Sequence, residues 1–165
     1  MLICGKQSSK MQDAMQDKQR EVLKKLMRYC AYQERCHKEV KEKILSYGLY
    51  GDILEAIVYT LITDNYLNEE RFARSFAGGK FRQKAWGRNK IRFELQNRDI
   101  SDYCIEKGLS EIDDEEYSEK LKQIIEEQFK KYEQLEHILA KDKILKYCTG
   151  RGYEIDLVLR CLRQY

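Results

Sequence analysis

The sequence predicts an all-α protein made of three tandem three-helix repeats, each like a helix-turn-helix, that together form an elongated, curved body. Two observations favour this fold class. The 165 residues contain no proline, the residue that ends or kinks helices. Three stretches of the chain share apolar residues at helical spacing around one turn, whereas no stretch sustains the apolar–polar alternation of a strand.

The three stretches align on the apolar residue that follows each turn, namely Leu49, Ile100 and Tyr153. Apolar residues recur at fixed distances before and after this position, so each stretch has one apolar face before its turn and one after it. The recurring residues are Val40, Ile91 and Ile144; Ile44, Leu95 and Cys148; Ile53, Cys104 and Leu157; Leu54, Ile105 and Val158; and Val58, Leu109 and Leu162. Each stretch is therefore predicted to form a helix, a tight turn and a second helix.

The turns contain Gly48, Asp99 and Gly152, and glycine is favoured where a helix ends in a left-handed residue. A further helix is predicted before each pair, with Asn68 and Asp113 placed as N-caps of the second and third. The predicted organisation is a flexible tail over residues 1–17, repeat 1 over 18–66, repeat 2 over 67–110 and repeat 3 over 111–165.

Composition and motifs argue against export, metal binding and catalysis. Residues 1–17 lack the basic-then-apolar order of a secretory signal, and no apolar run approaches the roughly 20 residues that span a bilayer. The six cysteines include no C-x-x-C pair, and neither His37 nor His137 belongs to a known catalytic pattern. We therefore expect a cytoplasmic protein with no disulfide, metal or cofactor and no enzymatic activity.

Charge is unevenly distributed along the chain, although the net charge is only +3. Between residues 74 and 98, eight basic residues face one acidic residue, whereas residues 111–136 carry ten acidic residues and four lysines. The middle of the chain is thus predicted to face an anionic partner. The candidate contact residues are Lys80, Arg82, Lys84, Arg88, Lys90, Arg92 and Phe93.

Within this basic segment, Lys84, Arg88 and Arg92 would share one face if they lay on a single helix. Phe81 and Trp86 are interpreted mainly as packing residues, although aromatic rings beside basic side chains can also stack on nucleobases. For Phe93, packing between repeats and contact with a partner stay equally open. A basic face that is merely solvated also remains an alternative.

Residues 66–73, Tyr-Leu-Asn-Glu-Glu-Arg-Phe-Ala, closely resemble the signature of the RecX family. Residues 33–40, 86–95 and 147–153 resemble further RecX elements in the same order, so the resemblance covers roughly residues 25–165. Cys36 stands where serine is usual, and Asp99 where the second repeat usually has glycine. The matching positions, expected to be mostly structural, are Tyr66, Leu67, Asn68, Glu69, Arg71, Phe72, Ala73, Gly87, Ile91, Leu95, Arg151, Gly152 and Tyr153.

The resemblance implies a monomeric regulator of recombination that binds the RecA recombinase filament on single-stranded DNA. Such a protein restrains strand exchange and ATP hydrolysis, and direct contact with single-stranded or duplex DNA stays open. One alternative is a helix-turn-helix transcription regulator acting on duplex DNA, and another is a structural helical adaptor. The helices predicted to open at Ser101 and Glu154 begin with acidic residues, which disfavours reading of duplex DNA.

Overall fold

The computed structural model describes residues 4–165, with side chains from residue 15 onward, and this part contains nine α-helices and no strand. The helices are α1 (Cys4–Tyr32), α2 (His37–Ser46), α3 (Asp52–Thr63), α4 (Glu69–Lys84), α5 (Arg88–Gln96), α6 (Asp102–Leu109), α7 (Asp114–Lys131), α8 (His137–Gly150) and α9 (Ile155–Leu162). The all-α prediction is confirmed, and the helices follow one another as three triplets.

Burial follows the repeat alignment. The aligned residues after the turns are Leu49, Ile100 and Tyr153, and each is at most 6% exposed. The apolar residues nine and five positions before them are fully buried in all three repeats. These residues are Val40, Ile91 and Ile144, and Ile44, Leu95 and Cys148. The same side of each repeat therefore forms the core, as the helical spacing predicts.

The three predicted turn residues all have left-handed backbone conformations. Their φ angles are 72° at Gly48, 58° at Asp99 and 91° at Gly152. Aspartate tolerates this conformation better than most side chains because its short carboxylate can bond to nearby backbone groups. Asp99 can therefore occupy the position at which glycine stands in the other two repeats.

The first helix is longer than the sequence predicted. It begins at Cys4, whereas the sequence placed the start near Lys18 and a flexible tail before it. Residues 4–17 contain no proline, and half of them are Gln, Lys or Met, which lose little side-chain freedom in a helix. Residues 1–3 of the expected tail lie outside the described residues.

The chain divides into two compact units, Met1–Glu69 and Glu70–Tyr165. In the first unit, α1, α2 and α3 enclose a core that includes Leu26, Val40, Ile44, Leu61 and Leu67. The second unit contains both of the later helix triplets. The boundaries predicted at residues 17, 66 and 110 remain predictions.

Cys36 caps the second helix in the role that serine usually has. Its Sγ accepts a hydrogen bond from the Glu39 N–H at 3.5 Å, and Glu39 Oε2 accepts one from the Cys36 N–H at 3.3 Å. This reciprocal arrangement is a capping box, which satisfies backbone donors that a helix start leaves unpaired. The side chain of Cys36 is fully buried, so its sulfur also contributes apolar packing at this position.

The prediction that Lys84, Arg88 and Arg92 lie on one helix is wrong. The helix α4 ends at Lys84, and α5 begins at Arg88. Between them, Ala85 has a φ of 50° and Gly87 has an extended conformation, so the chain changes direction. Gly78 and Gly79 lie inside α4, so the two adjacent glycines do not end this helix.

This change of direction brings two backbone segments of the second unit into direct contact. The Gly87 N–H donates to the Arg151 carbonyl at 2.8 Å, and the Asn89 N–H donates to the Gly152 carbonyl at 3.0 Å. A Cβ atom on Gly87 would overlap the Gly152 carbonyl, and one on Gly152 would overlap Lys90. We call this contact between Gly87 and Gly152 the glycine joint. It attaches the turn between α8 and α9 to the start of α5.

Replacing Cys36 by alanine removes the side-chain acceptor of the cap at α2. We expect Cys36→Ala to lower the free energy of unfolding by about 1 kcal/mol, as other cap deletions do. Cys36→Ser keeps an acceptor and should unfold at a denaturant concentration close to that of the wild type. Equal losses in both variants would show that packing of the sulfur, and not the cap, stabilises this position.

Gly152→Ala should disrupt the glycine joint, because the new Cβ meets Lys90 and the φ of 91° is unfavourable for alanine. We expect a loss of about 3 kcal/mol or more in chemical denaturation. Gly150→Ala is the control, since a Cβ at this helical position meets no atom within 4 Å. That control should leave stability unchanged or raise it by up to about 1 kcal/mol. Similar stability of both variants would show that the glycine joint does not require glycine at position 152.

Candidate partner-binding surface

The predicted contact residues lie on two successive helices of the second unit. Three of them, Lys80, Arg82 and Lys84, are in the last turns of α4. The other four, Arg88, Lys90, Arg92 and Phe93, are on α5. The structure thus places these residues on both sides of the change of direction between α4 and α5, and not along a single helix face.

Most arginines of the basic segment are paired with carboxylates, which the sequence did not predict. Arg88 bonds to Asp114 at 2.5 Å, and Arg92 pairs with Glu106. The other two pairs are Arg74 with Glu70 and Glu111, and Arg98 with Glu94. The charge that this segment presents to a partner is therefore much smaller than its sequence suggests.

Two lysines of the segment lie against Trp86. The Nζ of Lys80 is 5.2 Å from the ring centroids of both Phe76 and Trp86, and that of Lys90 is 4.8 Å from the Trp86 centroid. Phe76 meets the tryptophan edge-to-face at 6.5 Å. Trp86 is half-buried among these side chains, and Phe81 is only 1% exposed. Both aromatic residues are thus packing residues, as the sequence favoured.

Arg82, Lys84 and Phe93 are exposed. Neither Arg82 nor Lys84 forms an ion pair with any of the residues that the structure describes. Phe93 is 60% exposed, so it does not pack in the core. These three side chains are the members of the predicted site that are available to a partner without rearrangement.

Arg88 connects α5 to the beginning of α7. Its guanidinium lies 4.2 Å from the ring centroid of Tyr117 and donates hydrogen bonds to the Ile112 carbonyl at 3.0 Å and to Asp114. The Arg88 side chain is only 26% exposed. These contacts give Arg88 a structural function that the sequence did not indicate.

Tyr117 is the centre of a polar network under this surface. Its hydroxyl accepts a hydrogen bond from the Arg88 N–H at 3.0 Å and donates one to Glu154 at 2.7 Å. Its ring stacks on Tyr153 at a centroid distance of 5.0 Å. Burial, followed by the hydrogen bond to Glu154, raises the pKa of Tyr117 well above its usual range. The phenol therefore remains a protonated donor at any physiological pH.

A groove of about 450 Å³ lies between α5, α6 and the beginning of α7. Arg88 and Arg92 line it together with Glu106, Asp113 and Asp114. The hydrogen bond from Arg92, followed by its charge, holds the pKa of Glu106 below its usual range. The acidic members of this groove were not predicted from the sequence, because their pairing depends on how the helices pack.

The described residues offer no group of three or more His, Cys, Asp or Glu side chains that could hold a metal ion. Within the same residues, no helix is both long enough and apolar enough to cross a membrane.

Two tyrosines of the network make a matched pair of tests. Tyr117→Phe leaves the Arg88 N–H and the Glu154 carboxylate without their shared partner, and we expect a loss of about 1–3 kcal/mol. Tyr153 is equally buried, but its hydroxyl has no hydrogen-bond partner among the described residues. Tyr153→Phe should therefore be neutral or slightly stabilising. Chemical denaturation measures both effects, and equal losses would contradict the network.

Comparison with known proteins gives one family. Residues 68–109 match the family model described as RecX, second three-helix domain. The regulatory protein RecX of Streptococcus uberis is 30% identical over 132 residues, which are 79% of this chain and 50% of that protein. That of Clostridium perfringens is 27% identical over 125 residues, or 74% of this chain and 58% of that protein. The chain thus spans about half the length of the curated relatives it matches.

Solved structures agree in fold. The crystal structure of RecX from Lactobacillus salivarius superimposes with a TM-score of 0.81 at 22% identity, covering 90% of this chain and 96% of the other. A second crystal structure, of a regulatory protein RecX, has a TM-score of 0.84 at 19% identity and covers 100% of this chain and 80% of the other. The resemblance seen in the sequence is thereby confirmed, and the chain is related to the RecX family of regulatory proteins.

Proposed function

We propose that this chain binds the RecA filament on single-stranded DNA and restrains its recombinase and ATPase activity, with no catalytic activity of its own. The proposal rests on one observation, the overlap between the family match and the basic segment. The match to the second RecX domain, residues 68–109, contains the basic segment between residues 74 and 98. The part of the chain that matches this RecX domain thus also contains Arg82 and Lys84, the exposed cations suited to an anionic partner.

The exposed side chains Arg82, Lys84 and Phe93 are the proposed first contacts, with Lys80 and Lys90 beside them. Exposed cations attract phosphates and acidic protein surfaces over a distance that salt shortens to about 10 Å at 0.1 M. An exposed aromatic ring adds apolar contact area once the two surfaces meet. Attraction would then come from the end of α4 and apolar contact from α5.

Arg88 and Arg92 are not proposed as first contacts. Their ion pairs with Asp114 and Glu106 reduce their attraction for a distant partner. Arg88 also supports the network around Tyr117, so its substitution would change stability as well as binding. A test of partner binding should therefore begin with residues that have no such structural contacts.

The double variant Arg82→Glu/Lys84→Glu tests the surface. Wild-type protein should suppress ATP turnover by RecA on single-stranded DNA, and added salt should weaken this effect. The variant should need at least about fivefold more protein for the same suppression, because reversed charges repel the partner. Lys122→Glu/Lys130→Glu, on exposed positions of α7, makes the same change of charge elsewhere and should inhibit like the wild type.

Two outcomes would contradict the proposal. Unchanged RecA turnover at saturating wild-type protein would remove the proposed function, and tight sequence-specific binding to duplex DNA would then favour a transcription regulator. Equal inhibition by the folded double variant and the control would place the contact on another surface.

A further inference from the structure

The groove between α5, α6 and α7 contains two arginines one helical turn apart, and each is bound by a different carboxylate. Arg92 pairs with Glu106 of α6, and Arg88 pairs with Asp114 at the beginning of α7. Asp113 lines the same groove. Two arginines against three acidic residues leave the groove with a formal charge of −1, so it does not attract an anion in this state.

The two carboxylates are held only weakly. The side chain of Asp114 is 88% exposed and that of Glu106 is 61% exposed, whereas those of Arg88 and Arg92 are 26% and 37% exposed. Ion pairs with such exposed partners contribute little to stability. Arg88 is held in addition by the Tyr117 ring and the Ile112 carbonyl, and the carboxylates that cover the two arginines can rotate into solvent.

The repeats provide an internal comparison. Lys41 and Glu55 occupy the positions in repeat 1 that Arg92 and Glu106 occupy in repeat 2, and they form an ion pair at 3.0 Å. The position equivalent to Arg88 is His37 in repeat 1. An acid thus pairs with the aligned cation in both repeats, but only repeat 2 places a second guanidinium one turn away.

Two guanidinium groups on one side of a groove suit a phosphate group. Each guanidinium presents a planar fork of donors, and a phosphate has enough acceptor oxygens to receive bonds from both at once. Each carboxylate in this structure satisfies a single arginine. A phosphate that entered the groove would replace both carboxylates and release them to water.

We propose that Arg88 and Arg92 form a phosphate-binding site that Glu106 and Asp114 mask, so that a nucleic-acid phosphate must displace these carboxylates to bind. This inference rests on the proposed function, because the filament's DNA would supply the phosphate. It assigns the two acidic residues a negative role: they weaken binding to free nucleic acid and restrict the site to partners with high local phosphate density.

The masked site predicts a gain of binding, which random damage to a surface does not produce. We expect Glu106→Gln and Asp114→Asn each to tighten binding of a labelled single-stranded oligothymidylate by about two- to fivefold, measured by fluorescence anisotropy without RecA. The double variant should bind more tightly than either. The control Glu55→Gln breaks the equivalent ion pair in repeat 1 and should leave the affinity unchanged.

Further measurements identify the ligand chemistry. Adding Arg92→Gln to Glu106→Gln should abolish the gain, and inorganic pyrophosphate should compete with the oligonucleotide for the Glu106→Gln protein. If polyglutamate competes and pyrophosphate does not, the groove binds carboxylates and the phosphate assignment is wrong. Wild-type affinity in folded Glu106→Gln and Asp114→Asn proteins, or an equal gain in Glu55→Gln, would overturn the masking.

These results separate the two proposals. If the gain appears while RecA turnover is unaffected by any variant, the phosphate site stands and the proposed function fails. If wild-type protein inhibits RecA but the acidic variants gain no affinity for the oligonucleotide, the proposed function stands and the masked site is wrong.

Discussion

Gly87 and Gly152 bring two backbone segments closer together than any side chain would allow, and the surface of the second unit depends on this contact. The contact requires the chain to leave α4 after Lys84 and to begin α5 at Arg88. The turn between these helices separates Arg82 and Lys84 at the end of α4 from Arg88 and Arg92 on α5. The same contact brings Arg88 against Tyr117, whose hydroxyl joins the backbone of α5 to Glu154 just before α9. The glycine joint therefore contributes both to the packing of the second unit and to the position of Arg88.

The two arginines of α5 meet their carboxylates through different contacts, because Glu106 belongs to the helix pair of the same repeat and Asp114 belongs to α7. Arg92 faces α6 and finds Glu106, while Arg88 faces the first turn of α7 and finds Asp114. The lysines lie over aromatic rings or in solvent, and their charges have no carboxylate partner in the part of the chain that the structure describes. The basic segment consequently has two parts, an exposed one that can attract a partner and a paired one that can respond only after contact. A count of charges along the chain does not distinguish them.

The sequence was sufficient to predict the all-α class, the repeat positions in the core and the three left-handed turns. These follow from spacing and from local turn chemistry, as the burial of Ile44, Leu95 and Cys148 shows. The change of direction after Lys84 could not be predicted, because a left-handed Ala85 contradicts the local preference of alanine. The acidic partners of Arg88 and Arg92 were also missed. Of the two, Glu106 could have been suspected from the sequence, because it aligns with Glu55 of repeat 1.

The repeats also show that the ion pair at Arg92 is not needed for the fold. Repeat 1 has Lys41 and Glu55 at these positions, whereas repeat 3 has Leu145 and Leu159, and the helix pair forms in all three. A position that accepts lysine, arginine or leucine is only weakly constrained by packing. Loss of the Arg92–Glu106 pair in a bound state would therefore cost the second unit little stability. An arginine at such a position can exchange its internal carboxylate for an external anion while the helices beneath it remain in place.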